Sequence, residues 1–478
     1  MVAAALSSGR SDRLVEGEWL ILDGCLIPAR IPDMNARLFA ALFFSVCGAD
    51  AADPGWWPQF RGPNASGVGD GQPPEKWDVA SGAQVLWKRE IPGLALASPV
   101  IWGAHLFTTT AVSGKEDSEL KIGLYGDIKS VTSEDNLKHD WTVLCLDRLT
   151  GAVVWEKIVV SAVPASRRHP KSSHANCTPA TDGTSLVGIF NETLACLDAQ
   201  TGAVRWRVEI GPLRGGYYKA PDDTWGYASS PIIRDGRVIV QCDVEKQSWI
   251  AAFDLKDGKE LWRTQRGNKP SWATPSSYSH EGTVRIVANG YERLAAYDLA
   301  SGREVWHMQG GGDIPVPAPV VAGELITLTN AHGRLAPVFA IGTDAAGDLG
   351  AADGGEKNKF LRWSLPRRGN YMQTPLIHSG RLYLCSDGGI ASCQDAATGE
   401  EKWLERLGNG STGFTASPVA AGGLIYWTAE NGRVVVVRAG DKFERVAEND
   451  LGEPAMASPA IADGALYFRT RRGIIAIK

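Results

Sequence analysis

A short unit that recurs along the chain constrains the fold more than any other feature. Its clearest copy, 194–206, contains an apolar segment, a turn with Asp198 and Gly202, and a second segment ending in Trp206. Asp198 can hydrogen-bond to its own turn, and Gly202 can adopt the positive φ that completes it. Related units, each with a Trp four residues after the glycine, occupy 147–155, 254–262, 298–306 and 395–403. The unit therefore predicts a repeated β-hairpin.

A second signal recurs between these units. A small residue precedes a proline, and an apolar segment and usually a glycine turn follow. Proline is tolerated at the first residue of a strand because its missing N–H need not enter the ladder. The residues before the eight prolines are Ser98, Thr178, Ser230, Thr274, Ala318, Thr374, Ser417 and Ser458.

The two signals together give four strands per repeat, at a spacing of about 40–55 residues. This pattern predicts an all-β fold, an eight-bladed β-propeller of four-stranded antiparallel blades. Only three strands follow the last proline, and 84–88 supplies a strand with no strand before it. We therefore expect the N- and C-terminal strands to close the last blade, since closure removes the open sheet edges. In that arrangement Trp206 lies on an outer strand and packs against the next blade.

Composition limits the possible functions. The formal net charge is −5 and is spread along the chain, so nothing predicts binding to nucleic acid. The cysteines after residue 51 form no CxxC pair, and Cys145 and Cys196 occupy equivalent strand positions, which favours buried apolar roles. A disulfide between Cys385 and Cys393 across a hairpin is the alternative. The metalloprotease and serine-hydrolase motifs HExxH and GxSxG are missing from the sequence.

The N-terminal stretch predicts export. Residues 34–51 combine a basic start, an apolar run and a small-residue cleavage site, the pattern of a cleaved signal peptide that is too short for a transmembrane segment. Residues 1–33 are then either a mis-assigned leader or a genuine unstructured one. We expect 52–80 to be an N-terminal extension and 81–478 to form the propeller. The predicted product is a monomer in the periplasm or outside the cell.

Two stretches interrupt the repeat. Residues 113–140 form a charged insertion in the first blade, and 341–359 form a Gly/Asp-rich stretch between the third and fourth strands of another. The spacing of Asp344, Asp348 and Asp353 does not match a calcium-binding loop. We therefore expect 341–359 to be a solvated loop.

The Asp-x-x-Thr-Gly-x-x-x-Trp units at Asp147 and Asp198 resemble the repeats of pyrroloquinoline-quinone-like (PQQ-like) β-propeller proteins. Longer stretches resemble a secreted bacterial branch of that family, similar to the propeller lipoprotein that assists outer-membrane protein assembly; they are 57–63, 168–171, 311–317 and 387–393. The resemblance covers residues from about Trp57 to Lys478 and implies an eight-bladed fold. The repeat alone does not imply that a quinone is bound.

The predicted topology gathers one set of loops around a mouth of the central channel. Loops between blades, and loops between the second and third strands, emerge on the same face, and loops on a rigid scaffold commonly bind ligands. The candidate ligand-binding residues are His174, Asn176, Trp225, Tyr227, Trp272, Asp313, Asn330, His332, Tyr371, Gln373, Asp387 and Phe414. The alternative is that the aromatic residues only plug the channel and pack between blades. His174 and the nearby Lys171 are candidates for contact with an anion or a carbonyl.

Two functions of different classes fit this prediction. The first is a propeller that binds an envelope protein, peptide or glycan at its mouth, with no cofactor and no metal. The second is a PQQ-dependent quinoprotein dehydrogenase with calcium, in which Trp272 or Trp225 is the quinone platform and Asp313 the base. The resemblance to quinoprotein alcohol dehydrogenases implies an adjacent cysteine pair and a calcium site, and the sequence supplies neither. The sequence therefore favours the binding protein over the dehydrogenase. A hydrolase or a lyase is the remaining class of function.

Overall fold

The computed structural model describes residues 19–22, 25–28, 55–114, 120–124, 137–267, 269–332, 335–351 and 358–478. The chain divides into two compact units, Met1–Ala52 and Asp53–Lys478. In the first unit the strands Trp19–Leu22 and Cys25–Pro28 pair antiparallel. The predicted signal peptide, 34–51, lies outside the described residues.

The second unit is an eight-bladed β-propeller, and each blade is built on four antiparallel strands. The strands of blades 1 to 4 are Val100–Trp102, His105–Ser113, His139–Asp147 and Val153–Ala162; Ala180–Thr181, Ser185–Phe190, Thr193–Asp198 and Val204–Glu209; Ile232–Arg234, Arg237–Cys242, Trp249–Asp254 and Glu260–Gln265; and Ser276–His280, Thr283–Ala288, Leu294–Asp298 and Glu304–Gln309. Those of blades 5 to 8 are Val320–Ala322, Leu325–Thr329, Val338–Gly342 and Leu361–Leu365; Leu376–His378, Arg381–Cys385, Ile390–Asp395 and Glu401–Arg406; Val419–Ala421, Leu424–Thr428, Arg433–Arg438 and Arg445–Asp450; and Ala460–Ala462, Ala465–Arg469, Gly473–Ile477 and Val85–Glu90.

Blade 8 joins the two ends of this unit. Val85–Glu90, from the N-terminal side, pairs antiparallel with Gly473–Ile477, the last strand of the chain. The paired strands satisfy each other's backbone N–H and C=O groups, so neither is left as an open edge. The predicted closure of the ring by the N- and C-terminal strands is confirmed.

The Gly/Asp-rich stretch 341–359 is not simply a solvated loop, and that expectation was wrong. Within it Gly347–Ala351 pairs in parallel with Glu304–Gln309 and adds a fifth strand to blade 4. Leu349 is buried in a cluster that includes Trp306. This single apolar side chain anchors the strand, and the surrounding polar composition concealed it. A short hairpin outside the blades, Gly216–Tyr217 with Ala220–Thr224, lies between blades 2 and 3.

The six cysteines of the propeller are all free thiols and all buried. Cys385 is opposite Ala391 and Cys393 is opposite Tyr383, so the two cysteines occupy different rungs of the hairpin. The alternative of a disulfide between them is therefore not realised. Burial raises the pKa of Cys196 to about 11, which keeps this thiol protonated and unreactive at neutral pH.

The recurring Trp contacts the turn of the next blade. The ring of Trp206 lies over Gly258, where an added Cβ would be 2.7 Å from the ring and where φ is +76°. The Trp206 Nε1–H donates to the carbonyl of Leu255 at 2.9 Å. Equivalent bonds to the following blade are made by Trp87, Trp155, Trp262, Trp363 and Trp403. An added Cβ would likewise meet the Trp of the preceding blade at Gly151, Gly202, Gly302 and Gly399, so the glycine of these turns is needed for close approach as well as for its backbone conformation.

We expect Trp206→Phe to lower the free energy of unfolding by about 1–3 kcal/mol, because the buried carbonyl of Leu255 loses its donor. Urea denaturation followed by fluorescence or circular dichroism measures the change. Leu149→Ala is the control, since Leu149 is 60% exposed. Equal stability of Trp206→Phe and the control would show that the indole N–H contributes nothing.

The N-terminal extension crosses one end of the central channel. Trp57 pairs with Ile101 of blade 1, and the carbonyl of Pro58 accepts from Thr181 of blade 2. On the far side of the ring, the fully buried Arg61 donates to the carbonyls of Pro375 and Pro418, both at 2.8 Å. A segment that contacts blades 1, 2, 6 and 7 in succession must pass over the channel axis. We call 57–66 the floor segment.

The floor segment also holds the 3₁₀ helix Pro63–Ala65. Burial of the Arg61 guanidinium lowers its pKa to about 9, so the carbonyl oxygens that surround it offset only part of the cost of desolvation. In the part of the chain that the structure describes, no helix has the length and apolar character needed to cross a bilayer.

Candidate functional site

The channel contains a cavity with about 1000 Å³ of empty space, a volume that includes the part open to solvent. Phe60 of the floor segment lines it, and so do four of the predicted site residues: Asn176, Trp225, Trp272 and Tyr371. These four lie on loops between blades, which emerge opposite the floor segment. The sequence therefore identified part of the wall of a real cavity.

A ring of hydroxyl groups surrounds the cavity where the inner strands begin. We call it the hydroxyl belt, and its members are Ser98, Thr178, Ser230, Thr274, Thr374, Ser417 and Ser458. They are the residues before the recurring prolines, and Ala318 of blade 5 is the exception. The fixed repeat position explains why seven hydroxyls reach one cavity.

A buried ion pair joins distant loops at this cavity. Lys171, which lines the wall, lies 2.6 Å from a carboxylate oxygen of Glu430, and the exposed fractions of the two side chains are 0% and 1%. The backbone N–H of Gly123 donates to the same oxygen at 2.8 Å. Burial lowers the pKa of Lys171, although Glu430 and Asp387 counteract this shift. The pair connects the loop before blade 2 with blade 7 and with the blade 1 insertion.

A second polar cluster is centred on Asp313. His332 Nδ1 lies 2.6 Å from one carboxylate oxygen of Asp313. The hydroxyls of Tyr217 and Tyr218 donate to the other oxygen, each at 3.0 Å, and Lys219 Nζ also donates to it. The ring of His332 stacks on Tyr371 with centroids 5.9 Å apart, which links the cluster to the cavity wall.

The electrostatics of Asp313 follow from these contacts. Burial disfavours its charged form, but the hydrogen bonds from Lys219, His332 and the two tyrosines outweigh burial and lower the pKa to about 2. Burial raises the pKa of Tyr218 to about 12. The carboxylate is therefore ionised at neutral pH and held by neutral hydroxyls, an arrangement suited to orienting His332 and to binding hydrogen-bond donors.

The other predicted residues occupy different environments. His174 packs against His139 and Trp141, and it lines a separate small pocket with Tyr227. Asp387 is half-buried near Lys171 and Tyr371. Three further residues are almost fully buried and tie loops together instead of lining the cavity: Asn330, Gln373 and Phe414.

Comparison with known proteins identifies the family of this chain. The sequence profile described as outer membrane protein assembly factor BamB matches residues 139–404 and 314–442, more than half of the chain. The chain belongs to this BamB-like family. No curated protein matches the sequence.

Solved structures show the same fold at low sequence identity. A europium-containing methanol dehydrogenase superposes with a TM-score of 0.62 at 12% identity, covering 88% of this chain and 91% of its own. Quinohemoprotein alcohol dehydrogenase from Comamonas testosteroni gives 0.61 at 14% identity, covering 92% and 83%. BamB from Moraxella catarrhalis gives 0.49 at 15% identity, covering 75% and 98%. At these identities the likeness to the two dehydrogenases concerns the fold alone.

The cavity does not fit the calcium of a quinoprotein site. Calcium takes six to eight oxygen ligands, usually with carboxylates among them. The residues that line this cavity include no carboxylate, and their polar side-chain groups are hydroxyls, one amide, two indole N–H groups and the Lys171 ammonium. Within the described ranges no three His, Cys, Asp or Glu side chains are grouped to hold a metal ion. The lining of this cavity in the BamB-like chain therefore supplies no carboxylate to a calcium ion that would hold a quinone.

Sequence reasoning missed several residues of the site. Tyr217, Tyr218 and Lys219 lie on a hairpin between blades 2 and 3 yet contact Asp313, which precedes blade 5. Glu430 is 259 positions from its partner Lys171. No local pattern encodes such contacts. The hydroxyl belt could have been predicted from the sequence, because Ser or Thr precedes seven of the eight recurring prolines. The sequence pattern was interpreted only as a small residue before each proline.

We expect Asp313→Asn to reduce the pH dependence of stability. Because the folded-state pKa of Asp313, about 2, lies below its ordinary value, its contribution is full above about pH 4 and is lost as the pH falls toward 2. The side chain is only 10% exposed, so the contribution is on the order of 2 kcal/mol. Urea denaturation at about pH 7, above this window, and at about pH 2.5, near its lower end, should show a much larger loss of stability in the variant at the higher pH. The exposed Asp235→Asn is the control, and an equal deficit at both pH values would contradict this prediction.

Proposed function

We propose that this BamB-like propeller is a binding or scaffold protein of the cell envelope that holds a protein, peptide or glycan partner at the mouth of its central channel. The observation that carries the proposal is the convergence at one mouth of an aromatic-walled cavity and the Asp313 cluster. Concave sites with apolar walls and a few placed polar groups are the usual form of a binding site.

The rigidity of the mouth supports this proposal. The rings of His169 and Trp225 stack with centroids 3.8 Å apart and an interplanar angle of 15°. Trp272 donates its Nε1–H to the carbonyl of Gly226 at 2.8 Å. Aromatic side chains fixed in this way lose little conformational entropy when a partner binds, which favours affinity.

Two observations support an envelope location. The family is described by its role in outer membrane protein assembly, and residues 34–51 carry the pattern of a cleaved signal peptide. We propose that the propeller is exported to the periplasm or beyond and acts as a monomer.

Recovery of the bound partner tests this proposal. The full-length affinity-tagged protein is isolated from the envelope fraction of cells that produce it, beside Trp225→Ala and Trp272→Ala. We expect each substitution to reduce partner recovery at least about tenfold, since buried aromatic residues dominate binding interfaces. Leu149→Ala, on a turn at the opposite face, is the matched control, and circular dichroism shows whether each variant is folded.

Two results would overturn the proposal. One is partner recovery that neither mouth substitution changes, although both variants are folded. The other is saturable uptake of PQQ and calcium by the purified protein with dye-linked oxidation of an alcohol or sugar, which would establish the dehydrogenase alternative.

A further inference from the structure

The hydroxyl belt has unused hydrogen-bond donors. In six of the seven members the hydroxyl oxygen accepts a backbone N–H at the equivalent position of the preceding blade, at 2.9–3.0 Å; these are Thr178, Ser230, Thr274, Thr374, Ser417 and Ser458. A hydroxyl has one donor and two acceptor sites. Within the described ranges none of the six O–H groups donates to a protein acceptor. The backbone therefore fixes the oxygens and leaves the hydrogens for a ligand.

Ser98 is different from the other six because its hydroxyl has no hydrogen-bond partner among the described residues. The residue is 1% exposed, lines the cavity, and its Oγ neither accepts nor donates within the part of the chain that the structure describes. Leaving a buried hydroxyl unpaired costs about 1–3 kcal/mol. A ligand in the cavity that hydrogen-bonds to Ser98 would remove this cost.

The charge of the wall restricts the ligand. The only ionised group that lines the cavity, within the described residues, is Lys171, and its charge is balanced by Glu430 at 2.6 Å. A cation would meet no carboxylate there, and an anion would lose its hydration without gaining an unpaired positive charge. A neutral ligand avoids both costs.

The remaining wall is aromatic and aliphatic, with Trp225, Trp272 and Tyr371 toward the mouth. The floor segment lies across the other end, so a polymer chain cannot pass through the channel. A neutral molecule with hydroxyls at its edge and apolar C–H faces matches both the belt and the aromatic wall.

From this combination we propose that the central cavity binds one neutral sugar residue, with its hydroxyls on the hydroxyl belt and its C–H face against the aromatic wall. The residue is either a free monosaccharide or the end of a glycan chain. This proposal rests on the proposed binding function and specifies the chemistry of the ligand.

Titration of the full-length protein with sugars tests it. The neutral probes are glucose, galactose, mannose and N-acetylglucosamine, and the charged probes of similar size are glucosamine and glucuronate. We expect saturable binding of at least one neutral probe by calorimetry and saturation-transfer NMR, and weaker binding of both charged probes. A trisaccharide that ends in the preferred sugar distinguishes the two sources, because tighter binding than that of the monosaccharide indicates a chain end.

Ser98→Ala is the decisive variant, because it deletes a hydroxyl that supports no internal contact. We expect it to raise the Kd about three- to tenfold, the effect of one lost hydrogen bond. The melting temperature should not fall, because the substitution also removes the cost of a buried, unpaired hydroxyl. Ser301→Ala, at an exposed turn of blade 4, is the matched control. The proposal is overturned if no neutral sugar binds saturably, if a charged probe binds best, or if Ser98→Ala and Ser301→Ala have equal Kd values.

Failure of this inference can be told apart from failure of the proposed function. If partner recovery depends on Trp225 and Trp272 while no neutral sugar binds, only the sugar inference fails. If a sugar binds in a Ser98-dependent way while no partner is lost from the mouth variants, only the envelope-partner role fails.

Discussion

Replacing Lys171 with methionine should lower the free energy of unfolding by about 3–5 kcal/mol, because it leaves a carboxylate buried without its counter-charge. The side chain of Glu430 is 1% exposed, and the Lys171 ammonium lies 2.6 Å from it. The N–H of Gly123 and the hydroxyl of Thr415 also donate to Glu430, but neither carries a positive charge. The pair should therefore be one of the strongest constraints on the geometry of the mouth.

A double-mutant cycle measures this effect. Urea denaturation of Lys171→Met, Glu430→Gln and the double variant separates the loss of the pair from the loss of each group. We expect each single variant to be destabilised and the double variant to recover part of the loss, since it leaves no uncompensated charge. A Lys171→Met protein within about 1 kcal/mol of wild type would contradict the burial of an ionised pair.

Arg266→Met should cost a similar 3–5 kcal/mol. The guanidinium of Arg266 makes two hydrogen bonds to Asp243, at 2.7 and 3.1 Å, and the exposed fractions of the side chains are 1% and 4%. Arg266 also donates to the hydroxyl of Tyr297 and to the carbonyl of Arg293, both at 2.8 Å. The substitution therefore leaves Asp243 charged and buried and removes the donors that join blade 3 to blade 4.

Arg293→Met provides the comparison for this prediction. Arg293 pairs with Glu304 at 2.6 Å, but the two side chains are 31% and 22% exposed, so water screens their interaction. We expect this substitution to cost at most about 1 kcal/mol. Equal losses in Arg266→Met and Arg293→Met, measured by urea denaturation, would show that burial does not set the strength of these pairs.

The fold could be predicted from the sequence because each blade is specified by short, local sequence signals. Each blade is specified by a proline that begins its inner strand and by a turn such as Asp198–Gly202, so the period alone predicts eight blades and their closure. The strand Gly347–Ala351 escaped prediction because Leu349 is the only one of its side chains that is buried. Strands held by one buried side chain have no periodic pattern to detect.

The candidate site was only partly predictable, because some of its contacts join loops that are far apart in the sequence. Asn176, Trp225, Trp272 and Tyr371 were found because the repeat fixes which loops reach the channel mouth. The pairing of Lys171 with Glu430 depends on how the ring brings distant loops together, and no spacing in the sequence records it.

Site-specific photo-crosslinking tests the central claim, that the mouth is where this propeller binds its partner. A benzophenone side chain is placed at Tyr371, on the cavity wall, or at Leu149, on a turn of the opposite face, in the full-length protein within cells. We predict a discrete adduct from position 371 and none from position 149, with the adduct diminished by Trp225→Ala. An adduct from position 149 alone would contradict the account.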